Sequence, residues 1–320
     1  MEQKKTPVYV LTGFLGSGKT TLLKEMLAAE KSAGKTPAVV LNELGEANVE
    51  KSYFNEETLI EKLNGCICCT IQTDLTDDLL DFFTYSKKKP DVMFIEGTGV
   101  ADPLQVIDGL TDPRLQAFID IKSVIGVVDA ARYIEYQSIF SSSKEVREVL
   151  RSHLLHSSLL ILNKVDECDA RTLEKVKKKI DKAKPSSVPV IEASYGDVLH
   201  EELMMSRFEH TLEDSQEQRQ EIEHSHFQAL HIEPETQLLK GNLKNWLESL
   251  PEQVVRVKGI VHMKGEGKGV ILQYSPGSLS LEPLSHRGEE GVQRLIVIGY
   301  NINPADIKES FSKMVQKAKG

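Results

Sequence analysis

Six short apolar runs punctuate the first 191 residues: 8–12, 37–42, 91–96, 123–129, 158–162 and the brief Pro189, Val190, Ile191. Most are near-continuous rather than alternating, which is how strands covered on both faces of a parallel sheet read. Helical spacing separates them. Leu22, Leu23, Met26 and Leu27 set the period within 20–31, and further helical stretches fall at 144–155 and 170–183. The alternation predicts an α/β unit with a mostly parallel sheet over residues 1–208. The pattern then changes. Residues 209–224 are acidic and polar with no apolar stripe, which predicts a linker or a solvated helix. A strand is predicted at 225–232, then a helix carrying Leu238, Leu239, Leu243, Trp246, Leu247 and Leu250. Strands follow at 254–263, 269–275 and 294–300. A last helix starts with Asn303 as N-cap and Pro304 at its first position, with Ile307, Phe311, Met314 and Val315 on one face. Residues 225–320 therefore read as a smaller α+β domain, and no internal repeat is visible.

Composition narrows the class. A chain of 320 residues with 40% hydrophobic and 27% charged positions can build two packed domains without disulfide staples. Its formal net charge of −9 argues against broad, nonspecific nucleic-acid binding. No run reaches the ~18 apolar residues of a membrane helix. The N-terminus carries no signal-peptide pattern, so the cytoplasm is the expected compartment. Three of the four cysteines (Cys66, Cys68, Cys69) sit together and Cys168 stands apart. In a reducing compartment such a cluster points to metal or redox chemistry rather than to disulfides.

The strongest motif is Gly13-Phe-Leu-Gly16-Ser17-Gly18-Lys19-Thr20, placed between a strand and a helix. It matches the P-loop pattern in the context that pattern requires, predicting a P-loop NTPase fold. Its glycines let backbone N–H groups turn toward phosphate oxygens, and the helix start behind them favours negative charge. Lys19 is expected to reach the β- and γ-phosphates, and the Thr20 hydroxyl to hold Mg²⁺.

Asn163-Lys164-Val165-Asp166 follows the run 158–162. A carboxylate there can accept from the N1–H and N2–H₂ edge of guanine, and adenine offers no such pair, so Asp166 would select GTP over ATP. The Lys164 stem would pack over the purine. Glu96 closes the strand at 91–96 and is a candidate to position Mg²⁺, with Gly99 placing a backbone N–H near the γ-phosphate. Glu43, after the second strand, is a candidate for Mg²⁺, for the hydrolytic water or for the thiolate-bound metal.

Three cysteines spaced as Cys66-Ile-Cys68-Cys69 have a chance probability of roughly 1 in 1600 in a chain with four cysteines. Clustered thiolates suit Zn²⁺ or Cu(I), and three sulfurs leave one tetrahedral position open. A packed turn of small apolar side chains and a thiol redox switch are the alternatives. His224 and His226 are more often solvent-exposed than ligating, and Cys168 reads as a buried bystander.

Together these motifs resemble one family. Thr12 to Thr21, Asn42-Glu43-x-Gly45-Glu46, Gly65-Cys66-Ile67-Cys68-Cys69-Thr70 and Glu96-x-x-Gly99-x-Ala101-Asp102-Pro103 look like the CobW family of P-loop GTPase metallochaperones. In the second half, Leu250-Pro251, Val255-x-Val-Lys-Gly259 and Leu295 to Gly299 match its C-terminal domain, so the resemblance covers nearly the whole chain. Family members often carry an Asp after the Asn-Glu-x-Gly motif, Thr-Ser after the switch glutamate and a His-rich stretch. Here Glu50, Gly97-Thr98 and His224-Ser-His226 stand near those places.

The resemblance implies GTP and Mg²⁺ binding, slow GTP hydrolysis, and Zn²⁺ or Co²⁺ ligation by Cys66, Cys68 and Cys69. It implies nucleotide contacts from Gly16 to Thr21 and from Asn163, Lys164 and Asp166. The expected partners are the nucleotide, a transition-metal ion and a client protein that receives it, with neither nucleic acid nor membrane. A homo-oligomer is left open. The main alternative is a regulatory GTPase whose cysteines are structural or redox-active. A nucleotide kinase has no use for 163–166, and a nonhydrolysing zinc-binding interaction protein has no use for an intact Lys19-Thr20.

Overall fold

The computed structural model describes residues 4–41, 71–86, 88–100, 102–211, 227–265, 269–284 and 293–316. Two compact units divide the chain. One holds residues up to Leu110 and Leu115–Phe208, the other Thr111–Arg114 and Glu209 onward.

The first unit runs β1 (Thr6–Thr12), α1 (Lys19–Ser32), β2 (Pro37–Leu41), α2 (Ile71–Tyr85), β3 (Val92–Glu96), α3 (Pro103–Leu110), β4 (Ile119–Asp129), α4 (Tyr133–Tyr136), α5 (Lys144–Leu155), β5 (Leu159–Asn163), α6 (Ala170–Ala183), β6 (Val190–Glu192) and α7 (His200–Met204). Its six strands lie in the order β2-β3-β1-β4-β5-β6. All five pairings are parallel. The predicted parallel sheet is therefore present. β1 lies at its centre, between β3 and β4, so the chain leaves β1 with strand ends on either side.

The apolar runs explain the layering. Val8, Val10 and Leu11 of β1, Phe94 and Ile95 of β3, and Leu159 to Leu162 of β5 are all fully buried. Parallel strands must be covered on both faces, so alternation is lost. One face packs Leu22, Leu23 and Met26 of α1 against β1 and β3. The other packs Val176 and Ile180 of α6 against Leu160 and Leu162. Asp169 starts α6 as an N-cap, accepting from the backbone N–H groups of Arg171 and Thr172 at 2.9 and 3.0 Å.

The second unit holds β7 (Phe208–Thr211) from Glu209 onward, β8 (Phe227–Ile232), α8 (Lys240–Glu248), β9 (Val254–His262), β10 (Gly269–Ser275), β11 (Ser278–Pro283), β12 (Arg294–Tyr300) and α9 (Pro304–Gln316). The sheet order is β11-β10-β9-β12-β8-β7. The registered pairs β10/β11, β10/β9, β12/β9 and β12/β8 are antiparallel. Its core sets Leu243, Trp246 and Leu247 of α8 and Ile307, Phe311 and Met314 of α9 against Val257, Leu272, Leu295 and Val297 of the sheet. This is the α+β architecture expected of the second half.

Several elements differ from expectation. Residues 209–211, expected within a linker, continue a strand at the sheet edge. β11 was not expected. Its Ser278-Leu-Ser-Leu-Glu-Pro alternates weakly on an exposed edge, and it forms because Pro276 and Gly277 (φ 84°) close a two-residue turn after Ser275. Leu238 and Leu239 precede the helix. Leu238 bridges to Met263 instead, since α8 starts only at Lys240. α2 and α3 were also unanticipated, and β4 begins at Ile119 rather than 123. No helix among the described residues is long and apolar enough to cross a membrane.

Candidate functional site

The strand ends of β1, β3, β4 and β5 converge on the turn 13–18. Gly13, Gly16 and Gly18 all take positive φ, at 134°, 73° and 104°. At Gly18 the reason is spatial as well. A Cβ there would lie 2.3 Å from the Asn163 amide nitrogen, so a side chain is excluded both by clash and by backbone conformation. Gly18 opens α1 with no side-chain cap, and no acidic residue stands in that helix's first turn. An uncapped, unopposed helix start is a ready anion site. The Ser17 hydroxyl is buried in the same turn with no hydrogen-bond partner among the described residues. A buried polar atom of this kind costs free energy unless a ligand or water meets it.

Lys19 is buried at 5% exposure, and its ammonium donates to the carbonyls of Gly13 at 2.9 Å and Phe14 at 3.4 Å. The charge is thus held over the turn rather than in solvent. Thr20 and Glu96 meet across the sheet end: the threonine hydroxyl donates to Glu96 Oε1 at 2.8 Å. Glu96 is 1% exposed and stands in register with Leu11 and Leu41. A half-buried hydroxyl and a buried carboxylate beside a phosphate turn form the hard oxygen donor set that suits Mg²⁺. Thr21 is exposed on the next position of α1, and Gly99 is buried.

The 163–166 segment divides its labour. Asn163 is buried, and its side chain holds the backbone on both sides. Nδ2 donates to the Ser17 carbonyl at 2.9 Å, and Oδ1 accepts from the Gly196 N–H at 3.0 Å. It therefore ties the phosphate turn to the loop after β6. Lys164 adopts a left-handed backbone (φ 62°), and its ammonium pairs with Asp129 Oδ2 at 2.6 Å. Asp166 is exposed and makes no hydrogen bond or ion pair among the described residues, so its carboxylate faces solvent.

Sequence reasoning missed three contributors. Asp129, at the end of β4, anchors Lys164 and accepts from the Arg132 N–H at 3.1 Å. Its position closing an apolar strand run was the available signal. Gly196 contributes through its backbone, which leaves no mark in side-chain chemistry. His153 of α5 lies against Thr12, with Nδ1 2.6 Å from the threonine hydroxyl. Burial, and next the Lys19 charge, push its pKa down to about 4, so the ring is neutral at neutral pH.

Glu43, Cys66, Cys68 and Cys69 lie outside the described residues, as do His224 and His226. Cys168 is half-buried rather than buried, with its thiol 3.9 Å from the Lys164 carbonyl. Burial first, then the nearby Asp129 carboxylate, raises its pKa, which makes it a poor thiolate.

A central β1 leading into a glycine turn, a lysine over that turn and a hydroxyl–carboxylate pair beneath it define a P-loop nucleotide-binding protein. The chain belongs to the CobW/HypB/UreG family. The model for that family's nucleotide-binding domain matches residues 7–191, and the model for the cobalamin synthesis protein cobW C-terminal domain matches residues 227–315. The chain is 24% identical to the zinc chaperone CobW of a Sinorhizobium species over 98% of each chain. It is 32% identical over 209 residues to the zinc-regulated GTPase metalloprotein activator 1 of Dictyostelium discoideum, spanning 54% of this chain and 42% of that one. Among solved structures, the Zn(II)-bound YjiA GTPase of Escherichia coli aligns over 98% of this chain and 99% of its own, with 22% identity and a TM-score of 0.49.

Proposed function

We propose that this GTPase is a nucleotide-gated metallochaperone that binds Zn²⁺, or Co²⁺, at Cys66, Cys68 and Cys69 and delivers it to a client protein. The observation that carries the reading is the Thr20–Glu96 hydroxyl–carboxylate pair at 2.8 Å. It joins the first turn of α1, just past the phosphate turn, to the end of β3, from which the part of the chain able to feel a γ-phosphate continues. Family membership and the zinc chaperone among its relatives support the metal half of the proposal.

In this mechanism GTP enters over the 13–18 turn. Lys19 exchanges its bonds to Gly13 and Phe14 for phosphate oxygens, and the Ser17 hydroxyl gains a partner. Thr20 and Glu96 are the residues that would hold Mg²⁺, which when bound would supply neutralisation of the phosphate charge. Asp166 accepts from the guanine edge, and the Lys164 stem, anchored by Asp129, lies over the base. Water attacks the γ-phosphate, and catalysis comes from positioning and fixed positive charge rather than covalent chemistry. Loss of the γ-phosphate releases the segments after β2 and β3. The cysteines follow the first of these in sequence, so their hold on the metal changes with it. Linkage requires that metal alter GTP affinity by the same factor as GTP alters metal affinity. The small number of cysteines, three of them clustered, supports a reducing compartment, the cytoplasm.

The test is the affinity for Zn²⁺ and Co²⁺ with a non-hydrolysable GTP analogue and with GDP, beside a Cys66→Ser, Cys68→Ser, Cys69→Ser variant. A several-fold difference between nucleotides, abolished in the variant, supports the carrier. Equal metal affinity in both states overturns it, because a ligand without differential affinity shifts no population.

A further inference from the structure

Helix α5 and its C-cap His156 carry three polar side chains on the side that meets the segment following β3. Ser152 donates to Asp102 Oδ1 at 2.6 Å. The same hydroxyl lies 2.9 Å from His156 Nδ1, which itself sits 3.7 Å from Asp102 Oδ1. Asp102 also accepts from the Leu104 N–H at 3.0 Å, so one carboxylate caps α3 and latches it to α5. One turn before His156, His153 is 2% exposed and lies between the Thr12 hydroxyl and the Gly99 backbone. Thr12, the last residue before the phosphate turn, meets its Nδ1 at 2.6 Å. The Gly99 backbone lies close enough to hydrogen-bond the ring. The ring's Nε2 is nonetheless buried without a well-formed hydrogen bond among the described residues.

These contacts fall at the end of β1, just before the phosphate turn, and in the chain after β3. Gly99 is packed so tightly on the phosphate turn that a Cβ there would lie 2.6 Å from the Leu15 backbone nitrogen. A shift of a few tenths of an ångström at Gly99 is therefore felt at the turn, and the imidazole spans the same gap from behind. We propose that His153 is a positioning residue for GTP hydrolysis: with Ser152 and His156 it clasps the chain at Gly99 and Asp102 to α5, and its ring sets the distance between Gly99 and Thr12. The imperfect contact of the ring with the Gly99 backbone is the one that tightens when a γ-phosphate draws Gly99 toward the turn. The groups facing the ring are Thr12, Lys19, Gly99, Asp102 and His156. Lys19 is the nearest cation among them, and a second positive charge beside it would be repelled. The neutral ring can instead accept on one nitrogen and donate on the other, which its contacts with the Thr12 hydroxyl and the Gly99 backbone require.

This inference rests on the reading of 96–103 as the nucleotide-sensing segment. The experiment compares steady-state GTP hydrolysis and GDP affinity in wild type, His153→Leu, His153→Gln and Ser152→Ala, with Lys19→Ala alongside. A positioning role predicts that His153→Leu lowers kcat about 10-fold or more while KM and GDP affinity stay within about 3-fold. His153→Gln, which keeps an amide donor and acceptor, recovers most of the loss, and Ser152→Ala falls between. If His153→Leu does not fold by circular dichroism, Thr12→Val carries the test, since it removes the hydroxyl partner at nearly constant volume. Wild-type kcat in the folded Leu variant, a parallel loss of GDP affinity, or a Gln variant no better than Leu each overturns the clasp. Wild-type protein that turns over GTP no faster than Lys19→Ala overturns the nucleotide-sensing reading, and the clasp with it.

Discussion

The two sheets handle buried polarity in opposite ways. In the first unit Ser17, Lys19, Glu96, Asp129, His153 and Asn163 are all buried, gathered at strand ends or against them. In the second, among the described residues, the buried polar or charged side chains are Thr111, His231 and Lys258. There the sheet face is covered by Leu, Val and aromatic side chains, with Trp246 edge-on to Phe311 at 5.0 Å. Burying a polar group costs free energy unless its partners are in place. Around the phosphate turn the first unit meets most of that cost with protein partners and leaves the Ser17 hydroxyl unmet, while the second gives its interior mainly to packing. Substitutions at the phosphate turn should therefore read out mainly in turnover, and those in the second unit's core in stability.

The largest expected effect tests the packing side. Trp246→Ala removes the ring set against Phe311 and the Nε1–H bond to Ser310 Oγ at 2.9 Å. It should cost the second unit about 4 kcal/mol in denaturant unfolding. GTP affinity should stay near wild type, and a large loss would break the comparison.

Next comes acid. The His153 pKa of about 4 lies below its ordinary 6.5, so the unfolded chain takes up the proton first. The native state therefore keeps its full advantage above pH 6.5, loses it as pH falls, and has lost about 3 kcal/mol once pH is below 4. His156 is pushed down by burial as well and adds in the same direction. Urea titrations between pH 7 and 4 should show this slope for the first unit, and His153→Gln should flatten it.

Lys19→Ala then separates function from folding. Phosphate release should fall about 100-fold, the scale for removing one preorganised charge from a transition state. The melting curve should barely move, and a large drop in melting temperature would mean that the turn needs its lysine to fold. The smallest effect belongs to the exposed Asp166. Asp166→Asn should weaken GTP binding by about 2 kcal/mol, roughly 30-fold in Kd, and leave ATP binding unchanged. Equal losses for both nucleotides would move base recognition elsewhere.

How much was legible depended on whether a residue's role is local. Gly13 to Thr20 carry their conformation and chemistry within eight consecutive positions, and the apolar runs declared the buried strands. The turn, the parallel sheet and the α+β second half could therefore be read directly from the chain. What remained hidden involves partners far apart in sequence. His153 meets Thr12 across 141 positions, Ser152 meets Asp102 across 50, and Asn163 meets Ser17 across 146. Periodicity shows α5 as a helix but not which of its polar groups face inward. Asn163 reads as part of a base motif, and only the fold shows its side chain bracing the phosphate turn. The weakly alternating β11 was equally silent, because an exposed edge strand needs little hydrophobic pattern once a two-residue turn has folded it back. Residue type and spacing determined the chemistry available to this protein. Tertiary structure decided which buried groups share it, since a hydrogen bond depends on a few ångströms in space and not on distance along the chain.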